Sequence, residues 1–121
     1  LQRLRILYPQ AHCELIHQNP FELMISVQLS AQCTDARVNQ ITPKLFERIK
    51  YWEDLATIAQ EELEQYIYST GFYRNKARNL IGCAQGVLGE FQGKLPETLK
   101  ELIKLPGVGR KTANVVLQTA F

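Results

Sequence analysis

Apolar residues recur along this chain at intervals of three and four, the spacing that lines one face of a helix. The clearest run is Ala77, Leu80, Ile81, Ala84, Leu88 and Phe91, a single stripe closed by Gly93. A second, Leu63, Tyr66 and Ile67, crosses residues 60–69 and ends at Gly71, a residue suited to the left-handed stop of a helix. Phe21, Met24, Ile25 and Leu29 mark a third; Leu23 and Val27 on its other faces predict a central helix buried on most sides. Start signals agree with the stripes. Asn19 can cap this third helix, with Pro20 at its first position and Glu22 at its third, a variant of the capping box. Thr34 or Asp35 can cap a short helix, Thr42 followed by Pro43 opens another before Leu45, Phe46 and Ile49, and Pro96 opens the last pair. No alternating Val/Ile/Thr-rich run is bounded by a hairpin dipeptide. The expected fold is all-α, a bundle of short helices forming one domain over residues 1–121.

The last 23 residues differ in kind. Leu99, Leu102, Ile103 and Leu105 form an apolar stripe, Pro106-Gly107-Val108-Gly109 turns the chain, and a helix returns through Ala113, Val116, Leu117 and Ala120. Residues 99–121 therefore read as a helix-hairpin-helix. Val108 can plug the gap between the two helices, while Gly107 and Gly109 leave the tip bare for another backbone to approach. The N–H groups that open the second helix have no helical acceptor and lie at its positive dipole end. A phosphate suits such a turn, and backbone contact of this kind grips DNA without reading its sequence.

The charge pattern supports a polyanionic partner only by its distribution. The net charge of +2 is small, but residues 1–70 carry six Lys/Arg against nine Asp/Glu, whereas residues 71–111 carry eight against three. The basic loop Tyr73, Arg74, Asn75, Lys76, with Arg78 beyond it, follows Gly71 and can line a DNA groove or neutralise phosphates. Cys13, Cys33 and Cys83, spaced 20 and 50 residues apart, match no compact metal-ligand run and suggest a reducing cytosol. His12 and His17 lack a second ligand pair, so no metal site is expected. No stretch is long and apolar enough for a membrane span.

Leu105-Pro106-Gly107-Val108-Gly109-Arg110-Lys111-Thr112-Ala113-Asn114-Val115-Val116-Leu117 resembles the hairpin of the endonuclease III family of helix-hairpin-helix DNA glycosylases. Leu29-Ser30-Ala31-Gln32-Cys33-Thr34-Asp35 and Gly71-Phe72-Tyr73-Arg74-Asn75-Lys76-Ala77 resemble two further segments of that family, in order. The resemblance implies base-excision repair of oxidised pyrimidines by a combined glycosylase and AP lyase. Lys111 would supply the nucleophilic amine that attacks C1′ of a flipped-out nucleotide. Gln32 and Phe72 match the positions that fill the hole left in the duplex, although Phe72 replaces an aliphatic residue and equally suits a plain core aromatic. Tyr73, Lys76, Gly107, Val108, Gly109, Arg110 and Thr112 complete the implied DNA-binding set, and Asp35 reads as a helix cap.

By the same resemblance the partner is double-stranded DNA with a damaged base or abasic site, met by a monomer in the bacterial cytoplasm near the nucleoid. The family's catalytic Asp and four-cysteine 4Fe-4S segment would follow Phe121, so no cofactor is expected in these residues. The piece by itself should bind DNA weakly and show little or no glycosylase activity. Two alternatives stay open: a non-catalytic helix-hairpin-helix DNA-binding module, indifferent to Lys111 and Gln32, and a structural helical adaptor.

Overall fold

The computed structural model describes residues 15–121, so His12 and Cys13 lie outside the described residues. Every regular element among them is helical: α1 (Pro20–Leu29), α2 (Asp35–Arg48), α3 (Trp52–Thr57), α4 (Gln60–Ile67), a 3-10 turn (Tyr68–Thr70), α5 (Tyr73–Glu90), α6 (Leu99–Leu102) and α7 (Arg110–Ala120). The all-α expectation holds for them.

α1 is the centre of the molecule because it is apolar on most sides, with Ser26 and Gln28 buried among its hydrophobic residues. Leu23, Met24, Ile25 and Leu29 are all 0% exposed, and the helix packs against α2, α5 and α7. Burying each such side chain contributes about 1.5–3 kcal/mol, so together they outweigh the cap's roughly 1 kcal/mol. The cap still fixes where the helix begins. Asn19 Oδ1 accepts from the Glu22 N–H at 2.8 Å, while Glu22 Oε1 accepts from the Gln18 N–H at 3.0 Å.

α2 corrects the expectation of two short helices. It runs 14 residues without a break, with Pro43 inside it. Pro43 is exposed, so its ring points to solvent and the lost N–H bond costs less than it would in a packed helix. The cap is Thr34, whose hydroxyl accepts from the Arg37 N–H at 3.1 Å. Asp35 is the first helical residue, where a carboxylate meets the positive end of the dipole.

α3 has only six residues, too short to show periodicity. It is anchored by Trp52, whose ring meets Phe21 edge-on at 4.8 Å, and by Asp54, which accepts from the Lys50 N–H at 2.8 Å. α5 begins four residues earlier than its apolar stripe, at Tyr73, and ends where Gln92 (φ 56°) and Gly93 (φ 82°) turn left-handed and the Gly93 N–H reaches back to Val87 O. α6 likewise starts later than Pro96 suggested: Thr98 is its cap and accepts from the Glu101 N–H.

Candidate nucleic-acid interface

α6, the 103–109 turn and α7 form the hairpin, and its seat is built from small residues. A Cβ on Gly86 would lie 2.9 Å from a Leu105 methyl, and one on Gly82 would lie 3.1 Å from the Pro106 ring. Glycines one turn apart on α5 thus let the incoming strand of the hairpin sit close to the helix. Val108 is 5% exposed and Leu105 4%, so Val108 packs inside the hairpin; with its N–H already donated to Leu105 O at 3.1 Å, it does not stand on the DNA-contacting surface where it was expected. Ile103 does not join the stripe: it is 41% exposed.

The two tip glycines differ. Gly109 is open on its side-chain face, with nothing within 4 Å of a built Cβ. Gly107 adopts φ +78°, and a Cβ there would lie 2.5 Å from Gln28 Oε1 and 2.8 Å from Asn79 Cβ. The expectation of a wholly bare tip therefore holds for Gly109 alone. Gly107 is required for its left-handed backbone and its close seat on α1 and α5. Neither Gln28 nor Asn79 is marked by the sequence pattern; the one signal is a glutamine among the apolar residues of α1.

From that seat, Gly107 and Gly109 keep their backbone accessible and Arg110 and Lys111 are exposed, with Thr112 half-buried. Gly109 is the cap of α7 and offers no side-chain acceptor. The amides of α7's first turn are thus left for an outside anion. Lys111 is the second residue of this helix. Lys100 and Lys104, also exposed, belong to the same helix-hairpin-helix segment.

Gln32 and Phe72 follow two other helix ends. Both are non-glycine residues in the left-handed region, at φ 54° and φ 46°. Gln32 is exposed. Phe72 is 63% exposed, which removes the reading of it as a core residue. Tyr73 is half-buried, with its ring 4.8 Å from that of Tyr68 and the Arg74 guanidinium 5.2 Å above it.

Lys76 is the clear correction. Expected on the groove surface, it is 7% exposed, and its Nζ donates to Leu29 O at 2.8 Å and Thr70 O at 2.9 Å. Burial lowers its pKa from the ordinary lysine value, a nearby Cys33 opposing the shift. It sits one turn into α5, on the face that packs inward beside buried Ala77. Arg74, Asn75 and Arg78 remain exposed, Arg78 donating to Asn75.

Among the described residues no group of three or more His, Cys, Asp or Glu is arranged to hold a metal ion. Cys83 is buried in α5, and burial pushes its thiol up to about 12. No helix among them is long and apolar enough to cross a membrane.

Comparison with known proteins agrees with this geometry. The chain is 50% identical over all 121 residues to endonuclease III of Bacillus subtilis and covers 55% of that protein. It is 45% identical over its whole length to endonuclease III of Escherichia coli, covering 57%, so it spans about half the length of these relatives. A trapped covalent endonuclease III-DNA intermediate with an estranged adenine superposes with a TM-score of 0.90 at 53% identity, over 98% of this chain and 55% of that one. A thermostable thymine-DNA glycosylase gives 0.81 at 28%, over 94% of this chain and 51% of that one. The pattern of the HhH-GPD superfamily base excision DNA repair proteins matches residues 25–120, and the chain belongs to that superfamily.

Proposed function

We propose that the full-length protein carrying this chain is a base-excision DNA glycosylase with AP lyase activity, acting on oxidised pyrimidines in double-stranded DNA. The observation that carries this reading is the position of Lys111: an exposed amine on the second residue of a helix whose first-turn N–H groups emerge at an open glycine. The hairpin amides hold one phosphate, and Arg110 and Thr112 stand beside it. Fixing the strand this way places the Lys111 amine against a sugar carbon, where proximity replaces a bimolecular encounter.

The amine nitrogen then attacks C1′ of a nucleotide rotated out of the stack. The bond from C1′ to the base breaks and the base leaves with that electron pair, taking up a proton. The sugar ring opens to a Schiff base between C1′ and the amine. Loss of a C2′ proton expels the 3′-phosphate by β-elimination, and water releases the amine. Flipping costs a few kcal/mol of stacking. Gln32 and Phe72 recover part of it by occupying the hole, Phe72 by stacking its exposed ring. Tyr73 lines the DNA side of the same loop. A carboxylate that assists the attack and a 4Fe-4S cluster belong, in this reading, to the remainder of the protein, which works as a monomer in the bacterial cytoplasm and nucleoid.

A trap tests this directly. The full-length protein is incubated with duplex DNA holding an abasic site and reduced with borohydride. A covalent adduct is expected, lost at least about a thousandfold in Lys111→Ala, because removing a covalent nucleophile leaves only binding and positioning. An intact protein that binds the duplex and gives no adduct is instead a non-catalytic helix-hairpin-helix module.

A further inference from the structure

Lys76 holds two carbonyls, and each ends a helical segment just upstream of a left-handed residue. Leu29 closes α1 three residues before Gln32; Thr70 closes the 3-10 turn two residues before Phe72. Carbonyls at helix ends have no N–H one turn on to serve, and they sit at the negative pole of the dipole, so a cation is the partner that satisfies both needs. A single ammonium bridges residues separated by 47 and 6 positions from its own. Its backbone belongs to the same region: the Lys76 N–H donates to Phe72 O at 3.0 Å as the first helical bond of α5.

Left-handed backbone at Gln32 and Phe72 is unfavourable for any residue with a Cβ, and it persists only where the surroundings over-determine it. Two such residues standing at the two ends of one buried clamp is not what surface loops show by default. We propose that Lys76 is a positioning residue: by tying the end of α1 to the end of the 3-10 turn, it holds Gln32 and Phe72 in a fixed pair ready to enter the duplex. This inference rests on the function proposed above, since it gives the pair a hole to fill. A buried lysine spends its charge on geometry here, touching no phosphate. The pair then needs no ordering when the base leaves the stack, which favours the flipped state.

The test compares two substrates in the full-length protein under single-turnover trapping: an abasic site in duplex DNA, and the same strand unpaired. The unpaired strand has no hole to fill. Lys76→Met is expected to slow trapping on the duplex at least about tenfold more than on the single strand, and to add less than twofold to the duplex defect of the Gln32→Ala/Phe72→Ala variant, in which both positioned side chains are gone. Equal loss on both substrates, or full additivity with that double variant, overturns the proposal in favour of general destabilisation. Amide hydrogen exchange on the same variant gives a readout independent of catalysis. Protection at residues 30–34 and 70–73 should drop together while α4 keeps its protection. A drop in one loop only, or in neither, overturns the clamp. A wild-type protein that traps neither substrate contradicts the lyase function instead, and exchange then decides the clamp by itself. Should Lys76→Met yield no soluble protein, Lys76→Gln, which keeps a shorter uncharged donor, is read by the same two criteria.

Discussion

The hairpin at residues 99–121 and the paired loops around Gln32 and Phe72 face the same proposed ligand with opposite designs. The hairpin places backbone where a glycine makes left-handed or exposed geometry cheap, at Gly107 and Gly109. The loops place side chains on non-glycine residues whose own backbone is left-handed, Gln32 and Phe72, the second directly after left-handed Gly71. A phosphate needs only N–H groups, so the hairpin dispenses with side chains at its tip. A hole in a base stack needs a side chain, so the loops must keep one and hold their strained backbone by other means. Those means are a buried cation on two helix ends.

The largest test of this contrast on the hairpin side, after loss of Lys111, is Gly107→Val. A Cβ would meet Gln28 and Asn79 at less than 3 Å in a φ region that a β-branched residue disfavours. About 1–3 kcal/mol of stability and about tenfold to a hundredfold in DNA affinity should go, read by denaturant unfolding and by titration at fixed salt. Gln32→Gly should do the reverse to stability. Relief of left-handed strain outweighs glycine's entropy, giving a gain of about 0.5–1 kcal/mol, while trapping on duplex DNA falls about tenfold. A glycine that stabilised nothing there would mean the backbone at Gln32 is unstrained.

Smaller effects refine the comparison. Lys104→Ala should weaken binding a few-fold and reduce the slope of log affinity against log salt by about 1, equally for damaged and undamaged duplex, because it removes one phosphate contact and no base contact. The least effect on DNA is expected at Cys83. Its folded pKa of about 12 exceeds the ordinary 9.0, so the unfolded chain loses this proton first. Stability from this thiol is complete below pH 9 and is lost as pH climbs from there toward 12, about 1.4 kcal/mol per unit. Lys76, lowered by burial, pulls the other way just below its ordinary 10.5. A maleimide at neutral pH should modify half-buried Cys33 and spare Cys83.

Much of the helix pattern was legible because long apolar stripes leave little choice: α1, α4 and α5 sit where the spacing put them. The hairpin was legible for a different reason, since two glycines at alternate positions between stripes have few structural uses. The rest was hidden by tertiary context. Thr42-Pro43 carries a start signal, yet α2 runs straight through it because the proline faces water. Trp52–Thr57 is too short to show a period. Lys76 has the composition of a surface residue, and nothing in its neighbours announces two helix-end carbonyls brought together from residues 29 and 70. The left-handed backbone at Gln32 and Phe72 is equally silent, as neither residue type favours it.

At the centre is one claim: a glycine-tipped bend holds the strand so that the Lys111 amine meets the sugar carbon. Digesting the borohydride-reduced complex and sequencing the cross-linked peptide by mass spectrometry tests it most directly. The reduced sugar should sit on Lys111 and nowhere else. An adduct on Lys100, Lys104 or any other amine would contradict the account.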